Sequence, residues 1–271
     1  MIYCVWYPSG GFGTFITAIL STFGNNFIRP NHNDFKFSSD GNSHLLRSDI
    51  PVYRNTESYK FDFDHETNYA VLVDNGIDNQ SDKFFHEFPG AMKIKICYTD
   101  FTWPVVANTF IVKAMQSTPE LVLPVEVDKW DQTEEDWVKR EKFFLFLKEH
   151  AFRYYWKPQE NSFHLEISDI YNYDKLKNQI ESMGIVLDDF RDFWNSWYEL
   201  NSRYFTPVEQ ALTIIDSIKN NTNYDLSAIT NLWDQAVIYY ILWITYNKEI
   251  PHYDYADFFK DSNEIKKWLN Q

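Results

Sequence analysis

Eight residues near the start of the chain, Tyr7-Pro8-Ser9-Gly10-Gly11-Phe12-Gly13-Thr14, hold three glycines and two aliphatic hydroxyls. An apolar run, Ile2 to Trp6, precedes them and a helix-like stretch follows. A strand, a glycine loop and a helix in that order gather backbone N–H groups and a helix N-terminus around one point. That geometry attracts phosphate or sulfate without any basic side chain. Glycine lets the backbone approach an anion closely, and Ser9 and Thr14 carry hydroxyl donors. Gly11 and Gly13 are expected to supply positive φ or clearance for the anion. The loop lacks the lysine and the spacing of GxxxxGK[ST], which argues against an ordinary ATPase. A tight turn between a strand and a helix uses the same residue types, so the residues leave both readings open.

Other candidates are more dispersed. Asp74 ends the run "YAVLVD" and would serve as a general base if burial raised its pKa; before Asn75-Gly76 it also reads as a turn residue. Asp100 follows a third apolar run, where it could meet ribose or acceptor hydroxyls or cap the helix starting near Thr102. Lys93 and Lys95 alternate on that third strand, and only one strand face can meet a ligand. Arg47 and Arg54, in the polar, irregular segment 29–64, are the cations best placed to fold over an anionic donor. His86 reads as a surface residue of a short helix, and His44 and His164 stand alone in sequence. No HxxxH spacing occurs, and no metal site is expected.

The elements that must position these residues follow from hydrophobic pattern. Ile2–Trp6, Tyr69–Val73, Lys93–Tyr98 and Ser162–Ile167 read as buried strands. Helices are expected from Gly13 to Thr22, from near Trp103, and over "NYDKLKNQIESMGI", with Gly184 at its C-terminal end. This alternation predicts an α/β fold with a central parallel sheet and helices on both faces. From Thr133 onward the pattern is helical, a C-terminal elaboration in which "TEED" and "TPVE" read as helix starts, the second with Pro207 in its first turn. In "DDFRDFWNSWYEL", Phe190, Trp194 and Trp197 at helical spacing read as a core stripe first and an aromatic acceptor wall second. The reading keeps residues 1–271 as one domain.

The formal net charge of −14 argues against a protein that coats nucleic acid or lies on an anionic membrane, because both need a positive field. Cys4 and Cys97, the two cysteines, read as reduced core residues, which with the absence of a leader segment predicts a cytoplasmic protein. The most apolar late stretch, "AVIYYILWITY", is about half the length of a membrane span and reads as a buried helix.

"WYPSGGFGTFI" resembles the 5′-phosphosulfate loop of the sulfotransferase family. "FPGAMKIKICYTDFTWPVVANTF" is similar to that family's second signature, F-P-x-A-K, a strand, R-x-P-x-D and a serine on the next helix. "SFHLEISDIYNYDKLKNQIESMGI" resembles its late strand-turn, and "IYYILWITYNKEIPHYDYADFF" resembles sulfotransferase-like proteins of marine phages. The resemblance covers most of the chain in order. It implies a P-loop-like, sulfotransferase-like fold and a site for 3′-phosphoadenosine-5′-phosphosulfate (PAPS), or its product PAP. The residues it assigns to that site are Ser9, Gly10, Gly11, Phe12, Gly13 and Thr14 at the 5′ end, and Tyr98, Asn108 and Thr109 at the 3′-phosphate. Asp74 falls where the family's base stands. The acceptor would be a small molecule or glycan bearing a hydroxyl or amine. The chain departs from the family at Ser9, where lysine is usual, and at Tyr98, where arginine is usual. Those departures leave a non-catalytic nucleotide-binding or assembly protein of the same fold as an alternative. A GDP-sugar-dependent glycosyltransferase is the other, because "GGFG" is similar to the G-G-L-G-N loop of fucosyltransferases.

Overall fold

The computed structural model describes residues 1–7, 12–28, 37, 52–53, 66–74, 80–109, 136–150, 162–224, 229, 232–248 and 262–270. The chain divides into two compact units, Met1–Thr99 with Trp156–Ser202, and Asp100–Tyr155 with Arg203–Gln271.

The first unit is built on a five-stranded sheet. Its strands are β1 (Ile2–Tyr7), β2 (Val52–Tyr53), β3 (Tyr69–Asp74), β4 (Met92–Cys97) and β5 (Ser162–Glu166), ordered β2-β3-β1-β4-β5. Every pairing is parallel. The three apolar runs expected to be neighbours are neighbours, with β1 between β3 and β4. Strands buried on both faces read as continuous apolar runs, and β1 and β3 do so. The short strand β2 lies inside the irregular segment, where its two residues carry no periodicity to reveal it.

Alternation sorts the side chains onto two faces. Tyr3, Val5 and Tyr7 share one face with α1 (Gly13–Phe23), whose first residue lies against the Tyr7 ring. All residues of α1 from Gly13 to Ser21 are buried. Its buried hydroxyls are satisfied within the helix: Thr17 Oγ1 donates to the Gly13 carbonyl at 2.9 Å and Ser21 Oγ to the Thr17 carbonyl at 2.7 Å. The opposite face carries Cys4, Tyr69, Val71 and Val73, which pack with Phe84 of α2 (Gln80–Glu87). The sheet therefore has a helix on each face, as an α/β fold requires. After β5 come α5 (Ile167–Ile170), α6 (Tyr173–Ser182) and the start of α7 (Arg191–Lys219). Asn172 caps α6 by accepting the Lys175 N–H at 3.0 Å, and Gly184 follows the helix at φ 81°, a conformation that suits glycine.

The second unit is helical in its described residues. It contains α3 (103–109), α4 (Asp136–His150), the remainder of α7, α8 (Leu232–Tyr246) and α9 (Ser262–Asn270). Residues 236–242 of α8 are buried without interruption, so the apolar run is a core helix. No helix among the described residues is long and apolar enough to cross a membrane.

One helix start was misplaced. "TPVE" does not begin a helix; α7 runs through it with Pro207 inside. Trp197, Asn201, Tyr204, Val208, Ala211 and Ile215 form a buried stripe at helical spacing across the proline. Burial of that stripe outweighs the roughly 3 kcal/mol cost of an interior proline. The "TEED" start lies outside the described residues.

Candidate functional site

β1 leaves the sheet at Tyr7 and α1 begins at Gly13, while Ser9, Gly10 and Gly11 lie outside the described residues. The strand order reverses at β1. The chain places β2 and β3 on one side of it and β4 and β5 on the other.

Phe12, the residue before α1, has φ 61° and ψ 21°, the left-handed conformation. For a residue with a Cβ that costs roughly 1–2 kcal/mol. Burial holds it there. Phe12 is 4% exposed, and its ring stands edge-on to Tyr171 and to Trp197, with centroids 5.7 and 5.2 Å away. Trp197 also stacks on Phe15, 4.3 Å between centroids at 12°. The Phe12 side chain makes no capping hydrogen bond, and the first turn of α1 holds no acidic residue. A helix N-terminus presents a partial positive charge of about half a unit.

Gly13 is needed for a different reason from the one its loop position suggests. It is not in the left-handed region; Phe12 is. A Cβ on Gly13 would overlap the ring of Tyr7, so glycine is required by helix-on-strand packing. Thr14 is 2% exposed.

Asp74 is the last residue of β3, in register with Tyr7, so its backbone stands beside the root of the loop. Tyr98 follows β4 directly and is buried. Phe12, Gly13, Thr14, Tyr98 and the Asp74 backbone thus belong to one unit, around the carboxyl ends of β1, β3 and β4. Asn108 and Thr109 belong to the second unit, both buried on α3, and the Thr109 hydroxyl finds no partner among the described residues. Arg47 and Arg54 fall outside the described residues.

Burial singles out two residues that the sequence marks only by pattern. Trp197 was legible as core, and it is fully buried, yet its indole Nε1 finds no acceptor among the described residues. A buried unsatisfied donor costs about 1–3 kcal/mol, which makes this indole beside Phe12 a candidate ligand contact. The second is Lys95, only 4% exposed in mid-strand, with its Nζ 4.6 Å from the centroid of the Trp6 ring. The signal for it was a pair of lysines in a strand otherwise apolar. Burial, offset in part by Lys95, pushes the Cys97 thiol up to about 11, and burial raises that of Cys4 further. Both thiols are free and buried, and protonated at neutral pH they are poor nucleophiles.

The fold and site define a parallel α/β protein with a glycine-rich loop at the topological switch point. Compared with protein-family models, curated proteins and solved structures, the chain matches none.

Proposed function

We propose that the chain is a sulfotransferase-like transferase that holds PAPS at the opening loop and transfers its sulfuryl group to a hydroxyl or amine acceptor. The observation that carries this reading is the position of the loop. It leaves the carboxyl end of β1 where the strand order reverses, and open parallel α/β sheets take their ligands there. The three glycines, the α1 N-terminus that follows them and the order of the sulfotransferase-like motifs favour a phosphosulfate as the ligand. Ser9, Gly10, Gly11 and Thr14 would surround the 5′ end, and the Trp197 N–H adds a neutral donor. Tyr98, just past the end of β4, is the proposed 3′-phosphate contact within the first unit. In the transfer, Asp74 takes the acceptor proton, the acceptor oxygen or nitrogen attacks sulfur, and the bond from sulfur to the phosphate oxygen breaks. PAP leaves with the electron pair.

A non-catalytic nucleotide-binding protein of the same fold is the second reading, favoured by Ser9 and Tyr98 standing where the family carries lysine and arginine. Release of PAP from PAPS with a panel of hydroxyl and amine acceptors separates the two. Site placement is tested by calorimetric titration of PAP into wild type, Gly11→Val and Trp197→Phe, with circular dichroism to check each fold. The proposal expects affinity to fall at least about tenfold in Gly11→Val, one charge-assisted hydrogen bond or more. Equal affinity in both folded variants would make the loop a plain turn.

A further inference from the structure

The last described helix, α9, is nine residues long. Isolated helices shorter than about 12–15 residues are marginal in water, so α9 is helical because it is docked. Ile265 and Trp268 are the buried apolar side chains described on it, and their spacing puts both on one face.

Cationic side chains complete the docking. Lys248 Nζ donates to the Trp268 carbonyl at 2.7 Å and to the Leu269 carbonyl at 3.0 Å. Those carbonyls belong to the last turn, where an α-helix leaves acceptors unpaired and carries partial negative charge. An ammonium donating there makes charge-assisted bonds. The Tyr246 and Trp268 rings meet edge to face beside it, 6.4 Å between centroids at 86°. Two residues before Trp268, Lys266 Nζ donates to Asn221 Oδ1 at 3.2 Å. Both attachments stand where a longer helix has just stopped. α8 ends at Tyr246, and Asn247 is left-handed at φ 51°, its N–H returning to the Trp243 carbonyl at 2.7 Å. α7 ends at Lys219, and Asn221 is left-handed at φ 54°. Asparagine tolerates that conformation, so these turns hold Lys248 and Asn221 at fixed helix ends. All of these residues belong to the second unit.

We propose that α9 is a releasable clasp on the second unit, with the charge of Lys248 as its catch. It undocks and re-docks as one element while α8 stays folded. The contrast in burial carries the inference. Residues 236–242 of α8 are buried without interruption, whereas the described contacts of α9 are two buried side chains and polar bonds at its rim. Elements with few buried apolar groups open at lower free energy than the whole fold. Removing the ammonium leaves two carbonyls at the end of α9 without this donor, while a substitute that keeps the charge keeps the clasp closed. The inference makes no use of the nucleotide reading, so either can fail without the other.

The test is amide hydrogen exchange, read by mass spectrometry on peptides covering 262–270 and 236–242. It compares wild type, Lys248→Gln and Lys248→Arg over sub-denaturing urea concentrations. In wild type α9 should exchange faster than 236–242 and with a weaker dependence on urea, because opening it exposes little surface. Lys248→Gln should speed exchange in α9 at least about tenfold and leave 236–242 unchanged, and Lys248→Arg should restore most of the protection. Equal rates and equal urea dependence of the two segments in wild type would show that α9 opens only when the unit unfolds. Unaltered exchange of α9 in Lys248→Gln, equal acceleration of both segments, or Lys248→Arg no better protected than Lys248→Gln would also overturn the proposal. Loss of the fold in Lys248→Gln would do the same, since a clasp opens without unfolding what it closes on.

Discussion

Gly13 and Phe12 divide between them two tasks that glycine-rich loops usually assign to glycine. Phe12 takes the left-handed backbone, held by Tyr171 and Trp197, and Gly13 supplies the clearance for Tyr7. Gly13→Ala should therefore destabilise by about 1–3 kcal/mol in urea unfolding, the usual cost of overpacking, whether or not a ligand is bound. An alanine variant as stable as wild type would remove the packing argument. A further residue with a defined effect is Asp234, in the first turn of α8, whose carboxyl is pushed up to about 6 by burial. An unfolded aspartate titrates near 3.9, so the folded state favours the protonated form. That contribution is fully present below the unfolded value and is lost as pH rises through about 6. Asp234→Asn should then raise the unfolding midpoint relative to wild type at pH 7 and lose that advantage at pH 4. Equal gains at both pH values would show that burial of the charge is not the cause.

Strands β1, β3 and β4 were readable because each is a bounded apolar run, and their parallel pairing followed from the helices that separate them. β4 begins one residue earlier than the pattern indicated, at Met92, and Tyr98 lies just past its end. Pro207 shows where local chemistry misleads. Thr206-Pro207 carries a helix-start signature, but the decisive term is a buried stripe whose members lie up to three turns away. Pro207→Ala tests which interaction governs. Removing an interior proline recovers about 3 kcal/mol, and losing two buried methylenes costs about 1.6, for a net gain near 1 kcal/mol. A helix that truly began at Thr206 would gain nothing or lose stability. The candidate site was only partly legible for a related reason. The glycines, Asp74 and the Lys93–Lys95 pair are marked by type and spacing, but the burial of Lys95 and the indole N–H of Trp197 without an acceptor among the described residues follow from packing, which no window of sequence reports.

Across the entire chain the charge is strongly acidic, yet the ligand proposed at the opening loop is an anion, met there by a helix N-terminus and a neutral indole N–H. A net charge of −14 repels anionic ligands at long range. Binding must then rest on short-range donors and weaken less with added salt than binding by a basic surface would. The most direct measurement of the central claim is calorimetric titration of PAP, GDP and ATP into the wild-type chain at two ionic strengths. Saturable PAP binding at the loop, tighter than that of GDP or ATP and with little dependence on salt, is the expected result. No PAP binding at either ionic strength, or tighter binding of GDP, would contradict it.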